Sequence, residues 1–327
     1  MHIGKGEIPP LAPRMHSALG RNDIFVAATT PGRGTLKHTG RERWLSAGLL
    51  APSFALVALF VYGFIAWSGF ISLTAWRGML PDYTFVGLKQ YGDLFANARF
   101  QRDLLNTGVF TLAFLVGNLF LGLLLAVLLD RRLRGETFFR NLFLFPMAVS
   151  FVVTGTIWVW IFNPHSGLNV LFTALGFNTA NWKWIIDPHM ALYCVVMAAV
   201  WQMAGFTMAQ YLAGLRGIAD DVREAARIDG ANEAQIFRHI LLPQLWPVTV
   251  GAIVILGHIS LKIFDLVFVM TGGGPARATD VPGIYMFEAT FRGDLYARGA
   301  AIGIVMLLMV AVLIVPYLIY SRRMDRS

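Results

Sequence analysis

Charged residues are scarce in this 327-residue chain: Asp, Glu, Lys and Arg make up 14% of it, whereas hydrophobic residues make up 56%. Soluble domains carry roughly 25% charged residues. The polar surface is therefore too small to cover a soluble globule of this length. A lipid bilayer is the expected solvent.

Cysteine is almost absent as well, because the chain has only Cys194, in the middle of an apolar run. A single cysteine forms no internal disulfide and supplies no metal cluster, so we interpret Cys194 as a small buried hydrophobic residue. The first 43 residues lack the apolar core of a cleaved signal peptide. They are polar and basic and contain Pro and Gly, which favours a disordered tail over 1–43.

Long runs without charge are abundant. A helix that crosses a bilayer needs about 20 apolar residues, and six runs reach that length. Trimmed at flanking charges, prolines and aromatics, they predict helices over about 45–73, 104–129, 138–162, 190–213, 247–271 and 299–320. We predict an all-α polytopic membrane protein with a six-helix domain over 44–321 and a short cytoplasmic tail over 322–327.

Lys and Arg are unevenly distributed between the loops, with 18 in one set of alternating segments and 8 in the other. The positive-inside rule places the richer set, and with it both termini, in the cytoplasm. The loop from Asp130 to Arg140 holds four arginines and is the clearest indicator. The net charge of +8 does not indicate a nucleic-acid partner, since the charges lie between apolar runs.

The longest cytoplasmic stretch, residues 214–246, predicts two short helices. Asp221 and Glu224 have the spacing of a capping box at the start of the first helix. Gly230 suits the left-handed position that ends it. Asn232 and Gln235 then open a second helix.

One face of the first short helix carries the small residues Val222, Ala225 and Ala226. Such a face allows another helix or a groove to approach closely. A two-helix element outside the spans has the shape of a docking site for another protein. Taken alone, the residues favour the alternative, a solvated amphipathic loop.

Residues 214–246 resemble the EAA loop of bacterial ATP-binding-cassette importer permeases, in the form found in the sugar-importing branch; they are called the EAA segment below. The matching residues are Glu224-Ala225-Ala226, Asp229-Gly230-Ala231 and Ile240-Leu241-Leu242-Pro243. A second stretch is similar to the end of the fifth helix in maltose-type first permease subunits. It consists of Phe264-Asp265-Leu266, Thr271, Thr279 and the glycine loop, Gly272-Gly273-Gly274-Pro275.

The resemblance covers roughly residues 45–320 and implies a six-helix type I importer permease in the bacterial cytoplasmic membrane. An external solute-binding protein would deliver a monosaccharide or small glucoside to a path shared with a second permease. Two cytoplasmic ATPases would drive transport through the EAA segment. The coupling residues implied are Glu224, Ala225, Ala226, Asp229, Gly230, Leu242 and Pro243. The glycine loop would face the binding protein.

ATP hydrolysis is expected on the partner subunits. The chain contains no phosphate-binding loop of the form G-x-x-x-x-G-K-[ST]. We therefore expect ATP and magnesium to bind to the ATPases, and no cofactor, metal or catalytic residue in this chain.

Lys262 and Asp265 are the only formal charges well inside a predicted span, three residues apart and thus near one helix face. A charge at mid-bilayer costs about 2.5 to 3.5 kcal/mol, so neither is expected to face lipid. They either pair as a structural bridge or line a wet cavity that sugar hydroxyls reach. Trp201, Gln202 and Asn118 are further candidates for the substrate path, because a sugar binds to polar edges and an apolar plate. Ordinary packing is the alternative for each.

Two other classes of protein compete with this interpretation. In an ATP-independent secondary carrier, Lys262 and Asp265 would form an ion or proton relay. An intramembrane enzyme would need a nucleophile or metal constellation, and no H-E-x-x-H motif or paired-carboxylate spacing occurs in any predicted span. The EAA segment discriminates against a carrier, which has no ATPase to receive it.

Overall fold

The computed structural model describes residues 50–131, 134–179 and 182–324, so the predicted tail over 1–43 lies outside the described residues. These residues form helices and short connections, with one isolated β-bridge between Thr74 and Phe85. The main helices, in chain order, are α1 Leu50–Ser72, α2 Lys89–Phe95, α3 Ala98–Asp130, α4 Glu136–Ala148, α5 Phe151–Ile161, α6 Leu168–Ala174, α7 Ala191–Gly217, α8 Asp220–Ile228, α9 Glu233–Gln244, α10 Trp246–Leu261, α11 Asp265–Thr271, α12 Pro282–Phe287 and α13 Tyr296–Met324. The all-α prediction is confirmed.

Four helices, α1, α3, α7 and α13, are each long and apolar enough to cross a bilayer. Two bent pairs raise the number to six if each pair forms one span: α4 with α5, bent by 101°, and α9 with α10, bent by 59°. The described residues therefore hold four to six candidate spans, in agreement with the predicted polytopic membrane fold. The ends of two helices differ from the prediction, because α3 begins at Ala98 and α13 continues to Met324.

The predicted helix over 138–162 is broken where α5 begins. Ser150 caps α5 by accepting a hydrogen bond from the backbone N–H of Val153 at 3.3 Å. The preceding residue, Val149, is extended, and its carbonyl accepts a bond from Nε2 of Gln202 at 2.6 Å. A side chain of α7 therefore satisfies the backbone group that the break releases, as a span in lipid requires.

The predicted helix over 247–271 is also broken. Helix α10 ends at Leu261, and α11 begins only at Asp265. The expectation that Lys262 and Asp265 share one face of a continuous helix is therefore wrong. Asp265 occupies the first turn of α11, where a carboxylate interacts favourably with the helix dipole.

The described residues fall into two units that divide after Ala58. The described part of the first unit is the helical start of α1. The second unit holds the core, where α3 packs along α7 more extensively than any other described pair of helices. Stacked rings of Phe110 and Phe114, with centroids 5.6 Å apart, form part of this core.

Candidate functional site

The first helix of the EAA segment, α8, begins two residues earlier than its sequence suggests. Its N-cap is Ala219, which makes no side-chain cap bond. The predicted capping box of Asp221 and Glu224 is therefore wrong. Asp220 and Asp221 lie in the first turn instead, where acidic side chains are favoured by the helix dipole.

The turn between the two helices of the EAA segment is confirmed as predicted. Gly230 has φ +84°, the left-handed conformation that a side chain disfavours. Its N–H bonds to the carbonyl of Arg227 at 3.0 Å, and the N–H of Ala231 bonds to that of Ala226 at 3.0 Å. This pattern closes the C-terminus of α8.

The capping box of the second helix is also confirmed. The N–H of Gln235 donates to Oδ1 of Asn232 at 2.9 Å, and the N–H of Asn232 donates to Oε1 of Gln235 at 2.8 Å. The start of α9 is thus defined by two reciprocal bonds. The bend that follows connects α9 to α10.

Most of the predicted coupling residues lie on the surface. Ala226 is the exception, because it is buried in an apolar cluster that includes Ile236 and Leu241. The predicted small-residue face is therefore wrong at this position. The exposed members are Glu224, Ala225, Asp229, Gly230, Leu242 and Pro243.

Ile228, which the sequence reasoning missed, is 86% exposed at the end of α8. Its only signal in the sequence was its position as an isolated apolar residue between two charged ones, Arg227 and Asp229. Together with exposed Ala225 it gives this end of the EAA segment an uncovered apolar surface.

A polar cleft of about 750 Å³ lies between α8 and the ends of α3, α4 and α7. Two ion pairs line it. Arg223 binds Asp130 at 2.7 Å, and Arg216 binds Glu136 at 2.8 Å. These contacts join α8 to α3 and α7 to α4, and the sequence reasoning named neither.

The glycine loop follows α11. Gly272, Gly273 and Gly274 have φ angles of +58°, +98° and +76°, respectively. Thr279 stabilises the loop, since its N–H donates to the carbonyl of Gly273 at 3.0 Å. The hydroxyls of Thr279 and Thr271 are 2.6 Å apart. A run of left-handed residues explains why three consecutive glycines are needed here.

The residues after the glycine loop are bound to the start of α3. Arg99 reaches Asp280 and Glu288, each at 2.7 Å. Asn106 donates from Nδ2 to the carbonyl of Asp280 at 2.9 Å. Asp103 is fully buried, and neither of its carboxylate oxygens has a hydrogen-bond partner among the described residues.

Three of the candidate substrate-path residues are accessible. Lys262 and Asp265 are both exposed, and within the described ranges no ion pair joins them. Trp201 is 38% exposed and contacts Trp158 edge-on, with centroids 5.9 Å apart. It also lines an apolar cavity of about 320 Å³.

The other two candidates, Asn118 and Gln202, are enclosed by the chain itself. Asn118 is fully buried and donates from Nδ2 to the carbonyl of Phe114 at 2.8 Å. Gln202 is 3% exposed and holds the break before α5. The structure therefore gives both amides a packing contact and does not bring them to the surface with Trp201.

The helices and the exposed two-helix segment define a multi-pass α-helical membrane protein. Residues 118–327 match the family described as binding-protein-dependent transport system inner membrane component. The chain belongs to this family of transport permeases.

Similar proteins agree with this assignment. A probable ABC transporter permease of Pyrococcus horikoshii is 45% identical over 273 residues, covering 83% of this chain and 94% of that protein. The xylose/arabinose import permease protein XacH of Haloferax volcanii is 38% identical over 271 residues, covering 82% and 85%, respectively. A solved bacterial ABC transporter involved in alginate import shares the fold, with a TM-score of 0.75, 21% identity and coverage of 86% of this chain and 96% of that chain.

Proposed function

We propose that this chain is the permease subunit of a binding-protein-dependent ABC importer for sugar, either a monosaccharide or a small glucoside. It forms the translocation path with a second permease, and two cytoplasmic ATPases drive transport. The family match supports the permease role. The xylose/arabinose import named for XacH supports a small sugar as substrate.

The observation that carries this proposal is the exposed surface of α8. Glu224 and Ala225 are exposed, and Ile228 beside them is 86% exposed. Because these exposed residues lie in the segment that resembles the EAA loop, a protein partner is the expected cover of this surface. This chain has no phosphate-binding loop, so ATP and magnesium belong to that partner.

The proposed orientation places both termini and the EAA segment in the cytoplasm. The uneven distribution of Lys and Arg between the loops supports it. The glycine loop then lies on the opposite side, where the solute-binding protein approaches. Its backbone bonds to Thr279 would present a fixed surface to that protein.

The proposed substrate path uses Trp201, Lys262 and Asp265. An indole ring offers an apolar plate for a sugar ring, and Trp201 is partly exposed. Lys262 and Asp265 are exposed, and charges within a membrane domain are expected to face a wet cavity. Asn118 and Gln202 contribute by positioning the helices around the path.

A secondary carrier, the alternative for Lys262 and Asp265, is not favoured. A carrier works without ATPases and has no use for the exposed surface of α8. The family match also concerns a binding-protein-dependent system.

Uptake by the reconstituted importer tests the proposal. The chain is co-expressed with the second permease, the ATPase and the binding protein that we expect neighbouring reading frames to encode, and labelled xylose, glucose and trehalose are offered to vesicles. We expect uptake that requires both ATP and the binding protein. Uptake that proceeds without ATP under an ion gradient would contradict the proposal.

A charge change on α8 tests the role of the EAA segment. Glu224→Lys is expected to leave the complex assembled and to reduce uptake about tenfold or more, as when a favourable interfacial contact becomes repulsive. Asp93→Lys is the control, because Asp93 is exposed on α2 and lies outside the EAA segment. Equal uptake by the two variants would contradict the assignment of Glu224.

A further inference from the structure

A single arginine of the EAA segment binds two helices of the membrane bundle. Nη1 of Arg223 donates to Oδ2 of Asp130 at 2.7 Å, and its Nη2 donates to the carbonyl of Leu215 at 2.9 Å. Asp130 is the last residue of α3, and Leu215 lies in the last turn of α7. Arg223 therefore connects α8 to the ends of both long helices.

The surroundings make these bonds stronger than ordinary surface contacts. The side chains of Arg223 and Asp130 are only 19% and 16% exposed, so water and salt screen the pair less than an exposed one. Hydrogen bonds between ionised groups are roughly twice as strong as neutral ones. The carbonyl of Leu215 belongs to the final turn of α7, where carbonyls lack partners within the helix and attract a cation.

The two bonds also require an arginine. A guanidinium presents several N–H donors in a rigid plane, so it can bind a carboxylate and a carbonyl in fixed directions. A lysine at this position would supply one flexible ammonium group in place of that fork. Lysine is therefore expected to keep the charge pair with Asp130 and to hold α8 less precisely against α3 and α7.

The connection continues into the core beneath the cleft. Ala226, one turn further along α8, belongs to the same apolar cluster as Leu129 and Leu215. The neighbouring pair of Arg216 and Glu136 joins α7 to α4 at 2.8 Å on the same cleft. Both charged and apolar contacts thus hold α8 against the ends of α3 and α7.

We propose that Arg223 is a positioning residue that clamps α8 to α3 and α7, so that movement of the docked ATPases is delivered to the membrane bundle. The inference rests on the proposed function, because it assumes that α8 is the docking helix. Arg223 faces the bundle and Glu224 lines the cleft beside it, whereas Ala225 and Ile228 are exposed for the partner. Docking and transmission therefore use different sides of one short helix.

The test measures sugar taken up per ATP hydrolysed by the assembled complex in vesicles, with labelled xylose, glucose and trehalose as probes. Arg223→Ala is expected to lower this ratio about fivefold, the low end of typical coupling effects between sites. Assembly is checked by size-exclusion chromatography. The matched control is Arg292→Ala, because Arg292 is 60% exposed and pairs only loosely, at 3.5 Å, with Glu288.

A charge exchange separates positioning from general stability. Asp130→Arg combined with Arg223→Asp restores the ion pair between α3 and α8 but not the hydrogen bond to the carbonyl of Leu215. We therefore expect a partial recovery of the ratio relative to Arg223→Ala, because coupled charges compensate in double-mutant cycles. Arg223→Lys is expected to give an intermediate ratio, and it decides the question if Arg223→Ala does not assemble. If Arg223→Lys, and Arg223→Ala where it assembles, take up as much sugar per ATP as the wild type, the role of Arg223 is overturned.

The same experiment distinguishes the two proposals. If the wild-type complex shows no ATP-dependent uptake of any probe sugar, the proposed function fails, and the inference fails with it. If the wild-type complex transports sugar and the Arg223 variants do so with equal efficiency, only the inference is wrong. If the charge exchange remains as impaired as Arg223→Ala, the ion pair with Asp130 is not the positioning contact.

Discussion

Arg99 donates a hydrogen bond of 2.7 Å from Nε to the carboxylate of Asp280, 181 residues further along the chain. The same guanidinium contacts Glu288 at 2.7 Å and lies over the ring of Tyr285, 4.4 Å from its centroid. Asp280 is 1% exposed. One cation thus binds the first turn of α3 to the segment that follows the glycine loop.

The opposite end of α3 is held in a similar way, since Asp130 at its last position binds Arg223 of the EAA segment. The helix has 33 residues, and a rise of 1.5 Å per residue makes it about 50 Å long. A continuous helix with an ion pair at each end is a stiff connection between the EAA segment and the glycine loop. Under the proposed function, α3 is therefore the element that links ATPase movement to the side where the binding protein docks.

Arg99→Ala is predicted to destabilise the end of the bundle near the glycine loop. The variant leaves buried Asp280 without its cation, and breaking a buried pair costs about 3 to 5 kcal/mol. The melting temperature of the purified subunit, followed by tryptophan fluorescence, is the measurement. Arg292→Ala removes an exposed partner of Glu288 and is expected to cost at most about 1 kcal/mol. Equal melting temperatures for the two variants would show that the Arg99 network is not structural.

Gly230→Pro is predicted to uncouple ATPase activity from sugar uptake. Proline has φ near −65° and no N–H, whereas Gly230 has φ +84° and donates to Arg227 at 3.0 Å. The turn that orients α8 relative to α9 is therefore lost. Gly230→Ala is the milder comparison, because a Cβ there meets nothing within 4 Å and only the positive φ is strained.

Uptake and ATPase stimulation by the loaded binding protein are measured for both Gly230 variants. We expect the alanine variant to retain most of both activities. The proline variant should keep its assembled membrane domain, because the change lies outside the long apolar helices. Wild-type uptake in the proline variant would contradict the role of the turn.

Local chemistry explains what could be predicted from the sequence. The helix start at Asn232 and the turn at Gly230 depend on neighbouring residues only, and both predictions are confirmed. Ala226 is buried and Ala225 is exposed, a difference that depends on packing between helices. The small residues in the sequence do not show which of the two alanines packs against a neighbouring helix.

Contacts between distant residues and helix breaks without glycine or proline could not be predicted from the sequence. Arg223 and Asp130 are 93 residues apart, and no local pattern pairs them. The break between α10 and α11 contains Lys262, Ile263 and Phe264, with neither glycine nor proline to mark it. The trimmed apolar run therefore predicted one continuous helix, whereas the structure has two.

Cysteine labelling is predicted to show the proposed orientation. Ala276 beside the glycine loop and Ala234 in the EAA segment are both exposed. A cysteine at Ala276 should react with a membrane-impermeant thiol reagent from outside intact cells, and one at Ala234 only after the membrane is opened. The native Cys194 is 2% exposed and should remain unlabelled in both conditions. The reverse pattern would overturn the orientation, and with it the docking of ATPases on α8.

Replacing Lys262 by Met and Asp265 by Asn together is predicted to leave the importer assembled and impaired. If the two residues formed only a structural bridge, the single changes would destabilise the subunit and the double change would restore it. The structure favours the other account, because both side chains are exposed and no ion pair joins them within the described residues. Hydrogen bonds to charged groups contribute about 1.5 to 3 kcal/mol, so uptake at saturating sugar and binding protein should fall about tenfold or more. Lys89→Met, at an exposed position on α2, is the control. Full recovery of uptake per assembled complex in the double variant would remove both residues from the substrate path.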